Sequence, residues 1–277
     1  MRGKMFMRVI PSSGEELPVI GMGTWQTFDV PTGRAHPGLK EVLGKFHAAG
    51  GSLIDSSPMY GRAEQAIGEI VSPLEFRDEF FYATKVWTRG LQEGISQMES
   101  SLRKMKRRQM DLIQIHNLTD WRTHLPTLRR WKEAGKTRYI GITHYADSSH
   151  EELEKILRAE KLDFVQFNYS IDSRHAEKRL LAAAVDLGVA TLINRPFGEG
   201  GLFRRVAGKP LPPWTKDWQI ESWAAYFLKY VIAHPAVTCV IPATANSAHM
   251  TENLKAGRGP LPDRLLMKKM VDDFEAR

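Results

Sequence analysis

Eight short apolar runs recur along this 277-residue chain, at 19–22, 53–54, 80–83, 112–115, 139–142, 164–167, 191–193 and 238–241. Several carry little or no polar alternation, as expected of parallel strands covered on both faces. Between them lie helical patterns such as Leu39, Val42, Leu43 and Phe46, and Ala49-Gly50, Ala134-Gly135 and Leu187-Gly188 each end such a pattern just before a strand. Glycine there accepts the left-handed conformation that closes a helix. The polar residues ending the middle strands stand at 55, 85, 116, 143, 168 and 194, so successive ends are 25 to 31 residues apart. That is the length of one βαβ unit, about 30 residues. With no Pro/Gly-rich linker in the chain, the spacing predicts one domain over residues 1–277, a single (β/α)8 TIM barrel of the α/β class rather than an open doubly wound sheet.

One interval is longer than the rest. Residues 197–222 hold Gly198, Gly200, Gly201, Gly208, Pro210, Pro212 and Pro213, and they read as an extended loop above the barrel after strand seven, where barrels often bind phosphate. Residues before Val19 read as a short N-terminal hairpin at the bottom of the barrel, and 262–276 as a terminal helix. With 42% apolar and 26% charged residues, the composition excludes the disordered and collagenous classes. No apolar run approaches the roughly 18 residues of a membrane span. Met1, Arg2, Gly3 and Lys4 make a basic lead-in, but Arg8 interrupts the following apolar stretch too soon for a signal peptide. A cytoplasmic chain with no membrane partner is expected. Its single cysteine, Cys239, cannot form an intramolecular disulfide and leaves no Cys-x-x-Cys metal or redox motif.

The balance of 39 basic and 32 acidic residues, +7 overall, suits anionic ligands without implying nucleic acid. The densest basic run, Lys104, Lys106, Arg107 and Arg108, falls late in a predicted helix, where cations complement the helix dipole. Met22, Met59, Met105 and Met110 read as core filler.

Barrel enzymes carry their chemistry at the C-terminal ends of the strands. Here strand two ends in Asp55 followed by Ser56, Ser57, Pro58, Met59 and Tyr60, strand three in Thr84 and Lys85, and strand four in His116 and Asn117. Taken singly, an Asp can cap the next helix, a Lys can be a surface charge and a His can be merely hydrogen-bonded. Together they compose an acid. Asp55 would neutralise Lys85, whose ammonium would favour the tyrosinate of Tyr60, a phenol otherwise near pKa 10. Tyr60 would protonate a developing alkoxide, with His116 as second donor to the carbonyl.

These residues carry a resemblance. Gly21-Met22-Gly23-Thr24-Trp25, Asp55-Ser56-Ser57-Pro58-Met59-Tyr60-Gly61, Ala83-Thr84-Lys85, Gln114-Ile115-His116-Asn117, Gly141-Ile142-Thr143-His144-Tyr145 and Val165-Gln166-Phe167-Asn168-Tyr169 follow in order along the chain. Over residues 19–253 the sequence resembles the aldo-keto reductases, barrels that transfer a hydride reversibly between a nicotinamide cofactor and a carbonyl. The resemblance implies Asp55, Tyr60, Lys85 and His116 as the family's catalytic tetrad. That family binds its cofactor without a Rossmann domain. Gly21-x-Gly23 agrees, lacking the third glycine and the directly following helix.

By the same resemblance, the cofactor is expected against Gly23, Thr24, Trp25 and Asp55. Thr143, His144 and Gln166 stand where the family grips the carboxamide, His144 being a departure from the usual Ser-Asn pair. Asn194 stands where many members stack a tyrosine, and Arg195 beside it would meet the pyrophosphate with Pro196, Phe197, Gly198, Gly200, Gly201 and Leu202. Ala243, Thr244, His249, Glu252 and Asn253 fit the pattern that follows strand eight. Ala243 and His249 replace a Lys and an Arg that many NADPH-dependent members use on the 2′-phosphate, although Thr244 and His249 can still donate to phosphate. NADPH is therefore expected ahead of NADH. Trp25, Trp87 and Trp121, with Tyr60 and His116, suggest an aromatic pocket for a small aldehyde or ketone; a large aromatic at a barrel rim is otherwise core.

Two rival readings compete. A metal-dependent barrel hydrolase could use His116 and His144, but strand one offers only Thr24 and Trp25 and no early His pair, so no metal is expected. A redox-sensing regulatory subunit would bind nicotinamide with little turnover, and the complete tetrad favours turnover. A monomer or small homo-oligomer is expected.

Overall fold

The computed structural model describes residues 4–277; Met1, Arg2 and Gly3 of the basic lead-in lie outside them. Two short strands, β1 (Met7–Val9) and β2 (Glu16–Pro18), pair antiparallel as a hairpin. Eight more follow: β3 (Met22–Gly23), β4 (Leu53–Asp55), β5 (Phe81–Val86), β6 (Met110–His116), β7 (Thr137–Thr143), β8 (Phe164–Asn168), β9 (Ala190–Asn194) and β10 (Cys239–Val240). They lie side by side in sequence order, all parallel. The two outer strands meet through bridges Ile20–Val240 and Gly23–Ala243, with the Gly21 N–H donating to the Val240 carbonyl at 2.8 Å, which closes the barrel. A Cβ on Gly21 would lie 2.9 Å from Cys239 Sγ and one on Gly23 2.8 Å from the Ile241 carbonyl oxygen, so the seam is packed around glycine at both positions.

Helices α1 (Pro37–Ala48), α2 (Ala63–Val71), α3 (Leu91–Lys104), α4 (Trp121–Glu133), α5 (His150–Ala159) and α6 (Leu180–Asp186) follow β3 to β8 in turn. Gly50, Gly135 and Gly188 end α1, α4 and α6 at φ of 88°, 70° and 64°, the helix-closing turns that the Ala-Gly and Leu-Gly pairs predict. The long connection after β9 contains the short α7 (Gly201–Arg205) before α8 (Trp223–Ala233), and α9 (Ser247–Ala256) and the terminal α10 (Arg264–Glu275) complete the chain. Among the described residues no helix is long and apolar enough to cross a membrane.

Side chains alternate across a strand, so each barrel strand feeds two cores. Ile54, Val86, Ile113, Ile115, Ile140, Ile142, Val165, Phe167 and Ile193 point outward and join the layer beneath the helices. Leu53, Phe81, Ala83, Leu112, Phe164, Leu192 and Cys239 point inward and fill the lower barrel. Ile10 and Leu17 of the hairpin join that inner cluster and plug the bottom. Arg8 secures the plug by donating to the carbonyls of Ile232, His234, Pro235 and Val237. Two residues further along several strands the inward positions turn polar: Asp55 above Leu53, Lys85 above Ala83, Gln114 above Leu112, Gln166 above Phe164 and Asn194 above Leu192.

Candidate active site

Asp55, Gln166 and Asn194 of that polar layer line a cavity. The Lys85 ammonium, fully buried, donates to Asp55 Oδ2 and to the Ser56 carbonyl, each at 2.7 Å. Burial works against this ammonium, but Asp55 and Tyr60 outweigh it and hold the Lys85 pKa above its ordinary value. Burial likewise pushes the Asp55 carboxyl upward, with Lys85 opposing. At 2.7 Å the contact is a buried ion pair, and the Lys85 charge persists.

Tyr60 lies on the loop after β4, its ring partly exposed and its hydroxyl end deep among packed atoms. Lys85 Nζ sits 5.0 Å from its ring centroid. The expectation that Lys85 lowers the phenol pKa is half met. The ammonium is the largest lowering influence, yet burial is larger still and leaves the phenol above 10.0. His116 packs edge-on to Tyr60, ring centroids 5.7 Å apart, and its Nδ1 lies 2.9 Å from Ser57 Oγ. Burial, then the charges of Lys85 and His144, push the His116 pKa down to about 2, so the ring is neutral.

Asp55, Tyr60 and His116 line a cavity of about 590 Å³ at the top of the barrel, bordered also by Gly23, Thr24, Trp25, Trp87, Thr143, Gln166, Asn194, Arg195, Pro196, Phe197, Gly200 and Ala243. Other expected cofactor residues sit off this wall. His144 turns its ring onto Tyr145, and its Nδ1 accepts the N–H groups of Tyr145 and Ala146 at 3.0 and 3.2 Å. Gly198 belongs to the turn that enters α7, and Gly201 and the buried Leu202 are the first two residues of that helix. Thr244 and Asn253 are buried, and His249 is exposed in the first turn of α9. Glu252 borders a separate cavity of about 850 Å³ beside Lys45 and Lys255.

Two sequence expectations are corrected. Trp121 does not line the cavity; it opens α4, packs on the helix-side core and carries the Arg122 guanidinium 4.4 Å from its ring. The connection from His116 turns sharply through Asn117, Leu118 and Asp120, at φ of 52°, 56° and 48°. Asp120 anchors the turn by accepting the Gly90 N–H at 2.8 Å, which carries Trp121 away from the cavity. Met59 is no core filler. It is 39% exposed and lines the cavity mouth with Trp25 and Trp87.

Sequence reasoning gave no role to Gln114, Ser57 and Asn117. Gln114 donates to Gln166 Oε1 at 2.7 Å, and its position two residues before His116 on the inward face was available from strand periodicity. Asn117 lines the cavity with a buried Oδ1 that has no partner. Among the described residues no group of His, Cys, Asp and Glu could hold a metal ion.

The family model for the "Aldo/keto reductase family" matches residues 19–266. Methylglyoxal reductase YeaE of Escherichia coli is 26% identical over 260 residues, covering 90% of this chain and 89% of that protein. Aldo-keto reductase YhdN of Bacillus subtilis is 26% identical over 202 residues, covering 66% of this chain and 60% of that protein. An aldo-keto reductase from Klebsiella pneumoniae, solved in complex with NADPH, superposes with a TM-score of 0.78 at 22% identity, covering 99% of this chain and 96% of that one. The match spans the whole barrel and every strand end that builds the cavity, and the chain belongs to the aldo/keto reductase family.

Proposed function

We propose that this protein reduces the carbonyl of an aldehyde or ketone with a nicotinamide dinucleotide, NADPH in preference to NADH, and that Tyr60 is the general acid. The observation that carries the reading is the buried Lys85–Asp55 pair at 2.7 Å, set beneath a phenol and a neutral imidazole that share one cavity wall. Charge developing on a carbonyl oxygen is stabilised by donors already aimed at it. Tyr60 and His116 are two such donors. The Tyr60 hydroxyl gives its proton to the alkoxide oxygen, and the Lys85 charge stabilises the tyrosinate left behind.

The cavity suits a nicotinamide in a specific respect. Asn194, a residue of the cavity wall, donates through Nδ2 to the His144 carbonyl at 3.3 Å, and its buried Oδ1 has no donor in the protein. A carboxamide NH₂ would satisfy it. When bound, the dinucleotide supplies the hydride. Thr143, Gln166 and Asn194 would hold the nicotinamide end, Arg195 and Gly200 the pyrophosphate, and Thr244 and His249 the 2′-phosphate. NADPH is favoured over NADH by the structural relatives solved with NADPH or NADP. Trp25, Met59 and Trp87 make the outer wall apolar, which suits the carbon skeleton of the substrate.

The test is Tyr60→Phe, which removes the hydroxyl and keeps the ring. NADPH affinity, read by quenching of tryptophan fluorescence, should stay within about twofold, while kcat on simple aldehydes should fall by about 10²- to 10⁴-fold. Retention of most of the activity would overturn the assignment. A parent protein that binds NADPH but turns over none of a panel of aldehydes would favour the regulatory reading instead.

A further inference from the structure

Among the described residues His116 has no carboxylate partner, and its Nε2 makes no hydrogen bond to the protein. A neutral imidazole carries one N–H, so the nitrogen that holds it decides whether the ring offers the cavity a donor or a lone pair. The 2.9 Å contact between Nδ1 and Ser57 Oγ allows either arrangement. The serine resolves it. Ser57 is fully buried, and its Oγ accepts the Met59 N–H at 3.2 Å. The Ser57 hydroxyl proton still needs an acceptor, and among the described residues His116 Nδ1 is the one within hydrogen-bond distance. If Nδ1 carried the proton, it would donate to Oγ and strand the serine proton in a buried site, which is costly.

We infer that Ser57 is a positioning residue, which donates its hydroxyl proton to His116 Nδ1 and so holds the ring as the Nε2–H tautomer, a hydrogen-bond donor toward the substrate carbonyl oxygen. No sequence expectation assigned Ser57 a role. The inference deepens the carbonyl-reduction reading and rests on it for the identity of the acceptor. The opposite tautomer would aim a lone pair at an oxygen gaining negative charge. A protonated ring would donate from both nitrogens and need no serine, but burial and the Lys85 charge exclude it at neutral pH. The Met59 N–H takes one acceptor position of Ser57 Oγ, and the hydroxyl proton is left for His116 Nδ1.

The experiment is ¹⁵N NMR of histidine-labelled full-length protein without substrate, with the His116 signals assigned by their loss in His116→Gln. The expected parent spectrum shows a protonated Nε2 and an unprotonated Nδ1. Ser57→Ala should shift both signals toward a mixture of tautomers. It should also lower kcat on aldehydes about tenfold, the loss of one hydrogen bond, with NADPH affinity unchanged. Ser57→Thr keeps the hydroxyl and should restore both the spectrum and the rate. A parent ring protonated at Nδ1, or a Ser57→Ala spectrum identical to the parent, overturns the inference. The parent spectrum decides the tautomer even if the alanine variant folds poorly. If the expected spectra come from a parent that reduces no aldehyde, the functional reading fails and the tautomer assignment stands.

Discussion

Replacing Lys85 by Met tests the layer on which the cavity rests. Methionine fills most of the space of the lysine stem, but it removes the ammonium that binds Asp55 Oδ2 and the Ser56 carbonyl at 2.7 Å each. Asp55, only 2% exposed, then faces no cation. Breaking a buried pair from one side costs about 3–5 kcal/mol, and the hydrogen bond lost at Ser56 adds about 1 kcal/mol. The carboxyl can escape part of this by binding a proton. Burial already raises its pKa, and the variant lacks the Lys85 charge that opposes the rise. An acid whose folded pKa exceeds its unfolded value of about 3.9 contributes stability at low pH and loses it as pH rises, at up to about 1.4 kcal/mol per unit. Lys85→Met should therefore approach the parent near pH 4.5 and fall well below it at pH 8. The double variant Asp55→Asn/Lys85→Met carries no charge at either of these two positions and should lie within about 2 kcal/mol of the parent at both values, because a buried pair contributes little net against neutral replacements. Urea unfolding followed by tryptophan fluorescence measures all three proteins. A single variant costing under about 1 kcal/mol at pH 8, or a double variant as unstable as the single, would refute the reasoning.

His116, held down to about 2 by burial, stays neutral in the fold while the unfolded chain binds a proton below about pH 6.5. Stability should therefore drop as pH falls below about 6.5, by up to about 1.4 kcal/mol per unit from this ring, and His116→Gln should flatten the slope of thermal melts toward pH 4.5; an unchanged slope would mean that the folded ring accepts the proton. His249→Arg places a guanidinium able to bond phosphate with two donors at the start of α9, and should raise the NADPH-to-NADH ratio of kcat/KM about tenfold. A ratio indifferent to the substitution would show that the 2′-phosphate is read elsewhere. Trp87→Ala should raise KM about tenfold for bulky aromatic aldehydes and less for small aliphatic ones, since it opens the apolar wall. Trp121→Ala should leave both KM values unchanged, and an effect there would restore Trp121 to the pocket.

The barrel was legible because its strands alternate with helices at nearly constant spacing and its helix-to-strand turns carry glycines at 50, 135 and 188 that truly adopt positive φ. Strand ends marked Asp55, Lys85 and His116 because a barrel exposes those positions on one rim. What stayed hidden depends on path rather than period. Trp121 follows His116 by only five residues, yet three left-handed residues in the connection redirect it. Met59 has the composition of a core residue but sits on a loop that rises above the strand ends. Ser57 gave no signal, because a serine that orients a histidine and one that caps a turn look the same until the distance to Nδ1 is known.

The raised phenol pKa bears on how the acid works. The Lys85 ammonium, 5.0 Å from the ring centroid, is the largest influence lowering the Tyr60 pKa, and burial still exceeds it. A phenol in that condition keeps its proton throughout the neutral range. It cannot protonate a ground-state carbonyl, which is a weak base. It gives the proton up only once an alkoxide-like oxygen forms beside it, and the new tyrosinate then has the buried Lys85 ammonium, shared with Asp55, as its counter-ion. Asp55 makes this arrangement possible by allowing Lys85 to stay charged without water. The Lys85 charge acts on the tyrosinate far more than on the neutral phenol, so this one interaction strengthens as the proton leaves, which is the kind of difference that accelerates a reaction.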